Sequence, residues 1–382
     1  MKTSSHILYL MSAGVYLHIP FCKSRCSYCD FATDVYRSDQ IVERYVDALC
    51  AEIPGTTGGT FAADTIYFGG GTPSLLKAEQ VKQILETVHA HFDIDTDAEI
   101  TMEMNPATVS ADSLSAYRSL GVNRASFGVQ TFNDRDLKLL ARGHDAKDAR
   151  ETFRLLRETG FDNVSFDLIA GLPGQSLDDW RQNLDKAVEM QPEHLSLYLL
   201  EIHEGTPLAE QLRAGRRPMP DEDLAAEMYE LMIDCLASAG YTQYEISNFS
   251  KPGFESRHNT KYWRLDPVYG FGVSAHSFDG FQRYSNERDT AKYVQRIEEF
   301  SNAEVTRERI NAASEFIFLG LRLNEGVSID AYRERFGNNI AEIYKAEIAQ
   351  LTDLGLIELA DDRLRLTRKG MLFSNTVFAE FV

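Results

Sequence analysis

No apolar run in the 382 residues approaches the roughly 18 that a membrane-spanning helix needs, so a helical membrane protein is not expected. Positive charge is also short. The 39 Lys and Arg stand against 58 Asp and Glu, a formal net charge of −19 with no acidic tail and no basic block. A surface tracking phosphates has no electrostatic support in that balance, and nucleic acid is not an expected partner. Cysteine is scarce and odd in number, five in all, with three inside eight positions. That pattern excludes a disulfide framework and suggests metal in a reducing compartment. Cys50 and Cys235, in helix-like apolar surroundings, read as small buried hydrophobes. The apolar patch Ile7 to Met11 is too brief for a signal-peptide core, so the expected location is the cytoplasm, with Met1 or Met11 as the start. There is no low-complexity segment and no repeat beyond the alternation described next.

From Val15 to about Leu200, short apolar β-branched runs alternate with longer amphipathic stretches. Strands are expected at Val15–Ile19, Thr65–Phe68, Glu99–Glu103, Arg124–Val129, Asn163–Ile169 and His194–Leu200. Helices are expected between them at Ala78–His91, Ser110–Leu120, Ala146–Thr159 and Ser176–Met190. Six βα repeats imply an α/β fold, a parallel sheet closed or partly closed as a (βα)6 barrel. A helix at Asp221–Ala239 follows, then sheet extension and loops over Tyr241–Ser285. Beyond Thr306 come helices at Arg307–Arg322, Ile329–Phe336 and Ala341–Leu354, a hairpin over Leu356–Leu366 and a last helix from Lys369. The reading divides the chain into an N-terminal segment (1–14), the partial barrel (15–205), an extension and linking region (206–300) and an α+β winged-helix-like C-terminal domain (301–382). Winged helices often read DNA, but the acidic balance favours a packing or lid role here.

Chemistry in parallel barrels sits at the C-terminal ends of the strands. Here those ends are polar: the Cys loop after the first, Gly69-Gly-Gly-Thr72 after the second, Glu103-Met-Asn-Pro106 after the third, then Gln130, Asp167 and Glu201. The loop itself spaces Cys22, Cys26 and Cys29 as Cys-x3-Cys-x2-Cys. Three thiolates on a four-iron cluster leave one iron open to an exogenous ligand, and the amino and carboxylate groups of a methionine moiety can chelate it. Phe21, Tyr28 and Phe31 are expected to shield such a cluster. A zinc site completed by His18 or Asp30, or three unrelated core thiols, is the alternative.

This loop resembles that of the radical S-adenosylmethionine (SAM) superfamily. Tyr16-Leu-His18-Ile-Pro-Phe-Cys22 and Gly69-Gly-Gly-Thr-Pro73 resemble the oxygen-independent coproporphyrinogen III oxidase group within it, and the similarity runs through nearly the whole chain. The resemblance implies a partial barrel of the radical SAM type. It also implies a [4Fe-4S] cluster on Cys22, Cys26 and Cys29, with Tyr16, Tyr28, Gly70, Gly71, Thr72, Glu103, Gln130, Arg142 and Asp167 around bound SAM. Glu103 and Gln130 correspond to ribose contacts, Arg142 to a carboxylate partner and Tyr28 to the aromatic beside the adenine.

Two departures set the chain apart from a decarboxylating oxidase: Phe31 stands where that enzyme resembles Cys-x3-Cys-x2-Cys-x-Cys, and the first cluster cysteine is already residue 22. In the second half, His258-Asn-Thr-Lys-Tyr262-Trp263 resembles the His-Asn-x-x-Tyr-Trp signature of the HemW branch, whose members are regarded as haem chaperones. That resemblance implies haem as cargo, an acceptor haem protein, a reduced flavodoxin or ferredoxin as electron donor, and a homodimer. His258, Tyr262 and Trp263 are the haem candidates, with His276 on weaker grounds. Read without the resemblance, the same segment is a core aromatic pair beside a hydrogen-bonded histidine. The alternative function is a radical SAM enzyme that decarboxylates a porphyrinogen.

Overall fold

The computed structural model describes residues 12–56 and 61–382. The segment Met1–Met11, and with it the choice of start, lies outside the described residues. Strand β1 (Ala13–Ile19) leads into a short parallel pair, β2 (Phe21–Cys22) and β3 (Asp34–Val35), that frames the cysteine loop. Five further parallel strands follow: β4 (Phe61–Gly70), β5 (Phe92–Met104), β6 (Arg124–Gln130), β7 (Val164–Ala170) and β8 (His194–Leu199). Later come β9 (Thr242–Glu245), β10 (Asn248–Ser250), β11 (Val268–Phe271), β12 (His276–Phe278), β13 (Gln282–Asn286) and β14 (Glu304–Arg309). All but β2 and β3 join one sheet in the order β14-β13-β12-β11-β1-β4-β5-β6-β7-β8-β10-β9. The six βα strands therefore form its parallel middle, and the chain belongs to the α/β class with the partial barrel expected from its alternation.

The alternation of each strand sorts its residues. Val15, Leu17 and Ile19 of β1, Ile66 and Phe68 of β4, Ile100 and Met102 of β5, Ala125, Phe127 and Val129 of β6, and Val164, Phe166 and Leu168 of β7 all enter one apolar core. Their neighbours point to the other face, since side chains alternate with period two. These are Tyr16 and His18, Thr65 and Tyr67, Thr101 and Glu103, Arg124 and Ser126, Ser165 and Asp167. The concave lumen is therefore polar. Helices bury the convex face. The helix Leu177–Met190 is capped by Ser176, whose side chain accepts from the Asp179 amide, and it seats the fully buried Trp180 against the helix Glu222–Ser238, the indole N–H donating to the Met228 carbonyl at 3.0 Å. Truncating such a residue to Ala costs about 3–5 kcal/mol.

Three local expectations are corrected. Residues 257–264, read as loop, form a helix, Arg257–Arg264. Its sequence offers little apolar periodicity; a buried carboxylate holds it instead, Glu99 accepting from the Arg257 and His258 amides at 3.2 and 3.1 Å at the positive end of the helix. Arg307–Arg309, expected to begin a helix, complete β14, which pairs along β13, and the helix starts only at Ala312 behind the Asn311 cap. The helix expected over Ala341–Leu354 breaks at Tyr344 into Ile340–Ile343 and Lys345–Asp353.

The C-terminal unit has its own core of Ile317, Leu321, Tyr332, Leu351, Leu364 and Phe381. Its sheet is β15 (Val327–Ser328), β16 (Ile357–Ala360) and β17 (Arg363–Leu366) in the order β15-β17-β16, the expected hairpin plus one strand. Among the described residues, no helix is long and apolar enough to cross a membrane.

Candidate functional site

The cysteine loop is tied down along its length. The Asp34 and Tyr36 amides donate to the carbonyls of Pro20 and Cys22, both at 2.8 Å. Ser27 donates through its hydroxyl to the Leu139 carbonyl and through its amide to the Leu140 carbonyl, and its own carbonyl accepts from the Leu208 amide. His18 Nε2 donates to the Ala32 carbonyl at 2.9 Å, and Arg288 reaches the Asp30 carbonyl at 2.7 Å. All three thiols are half-buried. Thr72 Oγ1 donates to Cys22 Sγ at 3.5 Å and Arg142 Nη1 to Cys26 Sγ at 3.4 Å. Burial pushes the Cys22 thiol up to about 11 and raises that of Cys29. Thiolates at these positions therefore call for bound positive charge, as metal ligation supplies.

The zinc alternative finds no fourth ligand. His18 uses both ring nitrogens, Nε2 on Ala32 and Nδ1 on the Tyr16 hydroxyl at 3.0 Å, while Asp30 faces Arg288. Among the described residues, no three His, Cys, Asp or Glu side chains gather closely enough to hold one metal ion. One expectation about the loop is corrected. Phe21 is buried, but Phe31 is 67% exposed and shields nothing, because the loop turns outward after Cys29.

The polar strand ends converge beside this loop. Gly71 lies so close to β1 that a Cβ there would stand 2.6 Å from the Pro20 carbonyl oxygen, and Gly70 takes a φ of +112° with the His18 ring 2.7 Å from where its Cβ would be. The Gly70 amide and the Tyr67 hydroxyl donate to the two oxygens of Glu103 at 3.0 and 2.8 Å. Burial nevertheless pushes the Glu103 carboxyl up to about 7. Gln130 holds φ +65° at a bulge between β6 and β7, a strained backbone that a bare strand end does not need. Gly128, directly before that bulge, leaves room for Gln130 and for Arg142, whose guanidinium donates to the Gly128 carbonyl at 2.6 Å and to Asn105. Arg142 Nε is buried without a partner, while Tyr28 lies against the same guanidinium.

Asp167 sits mid-strand rather than at the end of β7, facing Ser126 and Ser196, with its carboxyl raised by burial. Glu201 stays outside, exposed and facing His203 at 3.5 Å. Lys23, Cys26, Thr72, Asn105, Arg142 and His144 border an open cleft at this end. Three thiols, a backbone cradle with no room for side chains, buried carboxylates and a buried guanidinium with its Nε–H unpaired suit an iron–sulfur cluster with a ligand that carries an amino acid and a ribose. Asn105, whose amide donates to Thr72 Oγ1 at 2.7 Å while its oxygen receives Arg142, escaped the sequence reading. Its signal was present in the Glu103-Met-Asn-Pro run. So was that of Arg124, a charged residue heading a strand and buried to 1%.

The helix Arg257–Arg264 closes the lumen from the opposite side. His258 is 1% exposed and held on both nitrogens, by Thr65 Oγ1 at 2.9 Å and the Tyr262 hydroxyl at 3.2 Å. Burial lowers it to about 3, so it is neutral. Tyr262 is 36% exposed. Trp263 carries the Arg322 guanidinium over its ring at 4.2 Å, and its indole N–H is buried without a partner. His276 is exposed on β12 and not brought to this helix.

Comparison with known proteins identifies the family. Residues 16–187 match the radical SAM superfamily, and residues 308–373 match the HemN C-terminal domain. The heme chaperone HemW of Bacillus subtilis (strain 168) is 37% identical over 377 residues, 97% of this chain and 99% of that one. Its namesake in Escherichia coli (strain K12) is 34% identical over 388 residues, 97% and 98% of the two chains. The solved structure of coproporphyrinogen III oxidase (HemN) from Escherichia coli, a radical SAM enzyme, superposes with a TM-score of 0.86 at 25% identity, covering 98% of this chain and 90% of that one. Membership of the superfamily implies a [4Fe-4S] cluster and SAM. With relatives this similar over almost their whole length, the chain belongs to the radical SAM superfamily and, within it, to the HemW family.

Proposed function

We propose that this protein binds haem and passes it to an acceptor haem protein, with Cys22, Cys26 and Cys29 holding a [4Fe-4S] cluster beside bound SAM. The observation that carries the reading is the near-full-length likeness to proteins named heme chaperone HemW. When bound, cluster and SAM supply one-electron reductive chemistry. The chain's own residues hold them: Arg142 offers charge to a carboxylate, Glu103 and Gln130 offer acceptors to ribose hydroxyls, and Gly70, Gly71 and Thr72 admit an amino acid end to the backbone. Tyr16, Tyr28 and Asp167 complete that wall.

For haem, the outward ring of Tyr262 is the group met first. His258 orients it through the 3.2 Å bond and becomes an iron ligand only by giving up Thr65 and Tyr262. A cytoplasmic location, a reduced flavodoxin or ferredoxin as electron donor, and a homodimer belong to the same reading.

A second reading, porphyrinogen decarboxylation, is favoured by the superposition on HemN. Phe31, in the place of a further cysteine, counts against it. The test is a haem titration of the anaerobically reconstituted protein, followed by mixing with an apo haem protein. A Soret band that forms and then moves to the acceptor is the expected result. Failure to bind haem, or conversion of coproporphyrinogen III to protoporphyrinogen, refutes the chaperone reading.

A further inference from the structure

Gly69 lacks a side chain where one would strike two rings at once: a Cβ would lie 2.9 Å from ring carbons of both Tyr16 and Tyr67. Its absence lets β1 and β4 lay those rings side by side in the lumen, centroids 6.1 Å apart and 25° from parallel. The His258 imidazole stacks on the Tyr67 ring at 5.0 Å and 27°, and reaches Tyr16 at 6.3 Å. The far end of Tyr67 donates to Glu103 at 2.8 Å, and the other Glu103 oxygen accepts the Gly70 amide. Tyr67 thus touches the carboxylate of the cofactor wall with its hydroxyl and the motif helix with its ring. It is 8% exposed, packed without slack between the two.

We infer that Tyr67 is a positioning residue that couples occupancy of the SAM site to haem binding at the His258–Trp263 helix; the inference rests on the reading proposed above. A hydroxyl ligand that donates to Glu103 competes with the Tyr67 hydroxyl for the same oxygens. The ring, rigid and pinned at its para position, turns with that bond. His258 follows through the stack, tilting about its other attachments, Thr65 of β4 at Nδ1 and Glu99 of β5 at the amide. Tyr262, bonded to His258 Nε2, carries the change outward. Such a linkage is reciprocal by thermodynamic necessity, and typical couplings change affinity about 5- to 150-fold.

The experiment titrates haem into the anaerobically reconstituted full chain with and without saturating SAM, in the wild type, Tyr67→Phe and Tyr67→Leu. The ratio of the two haem affinities is the readout. In the wild type it departs from one by about fivefold or more. In Tyr67→Phe, which keeps the ring and loses the hydroxyl, it falls to about one, and Tyr67→Leu weakens haem with or without SAM. A merely structural tyrosine would leave the ratio as it is. A Tyr67→Phe ratio equal to that of the wild type, or a wild-type ratio of one, overturns the coupling and leaves the haem reading standing. Absence of haem binding by the wild type overturns both. Should Tyr67→Leu fail to fold, the Tyr67→Phe ratio decides alone, with SAM affinity measured with and without haem as the reciprocal check.

Discussion

Replacing Gly71 with alanine should damage both the stability of the protein and its hold on iron. The added Cβ would stand 2.6 Å from the Pro20 oxygen, 2.7 Å from the Pro20 carbonyl carbon and 2.9 Å from the Phe21 oxygen. Ordinary contact begins near 3.4 Å, so β4 and the segment leading to Cys22 must part by roughly 0.8 Å. All three obstructing atoms belong to backbone, and no rotamer change relieves them. The Gly71 amide also donates to the Ile19 carbonyl at 2.8 Å, which ties the strand end to the place being pushed. Overpacking of this kind costs typically 1–3 kcal/mol, and a contact made wholly with backbone points to about 3. Because Phe21 precedes Cys22, the same displacement moves one thiol of the three. Urea unfolding of the apo protein should show a lowered midpoint, and iron per chain after anaerobic reconstitution should fall. A variant within about 0.5 kcal/mol of wild type that takes up iron normally would refute the steric argument.

Further outcomes follow from the same geometry. Glu103→Gln should change how stability depends on pH. In the folded state the carboxyl sits at about 7 against 4.5 unperturbed, so the folded protein keeps a proton that the unfolded chain releases. Its contribution is therefore lost as pH rises from about 4.5 to 7, by at most about 3 kcal/mol. The buried histidines His18 and His258, lowered to about 4 and about 3, act in the opposite direction below pH 6.5. The quantity to measure is accordingly the wild-type minus Glu103→Gln difference in unfolding free energy at pH 5 and pH 7.5; a difference that does not shrink with rising pH contradicts the assignment. His258→Ala removes two hydrogen bonds and a stacked ring from a fully buried site, and should destabilise by about 2–4 kcal/mol in urea. The same variant should weaken haem by disorienting Tyr262; unchanged haem affinity removes His258 from the haem site. Cys22→Ala, Cys26→Ala and Cys29→Ala should each abolish the visible iron–sulfur absorption after reconstitution, and a variant that keeps the full band is not a ligand position.

What was legible beforehand was local. Each of the six parallel strands was readable from its β-branched and apolar run, and each observed strand contains nearly all of the stretch expected for it. The helix Ala78–His91 matches end to end because its apolar spacing and its flanks are all in sequence. The cysteine spacing and the glycine triplet were legible for the same reason: their chemistry is carried by neighbours in the chain. The helix Arg257–Arg264 was not legible, because Glu99, more than 150 residues away, provides what its own residues lack. Nor was the β14 strand, whose exposed, charge-rich sequence becomes a strand only by pairing along β13.

The sequence by itself determined the three thiols, the glycine cradle and where the six parallel strands fall along the chain, since short-range spacing and β-branched apolar runs suffice for those. Only the tertiary structure decided which polar residues share a lumen. Curvature of the sheet turns the alternate face of five strands inward, so that Tyr67, Glu103, Arg124 and Asp167, scattered over a hundred residues, face one another. It also decided that His258 is buried and Phe31 exposed. Burial depends on what packs against a side chain, and that is settled only when distant segments meet.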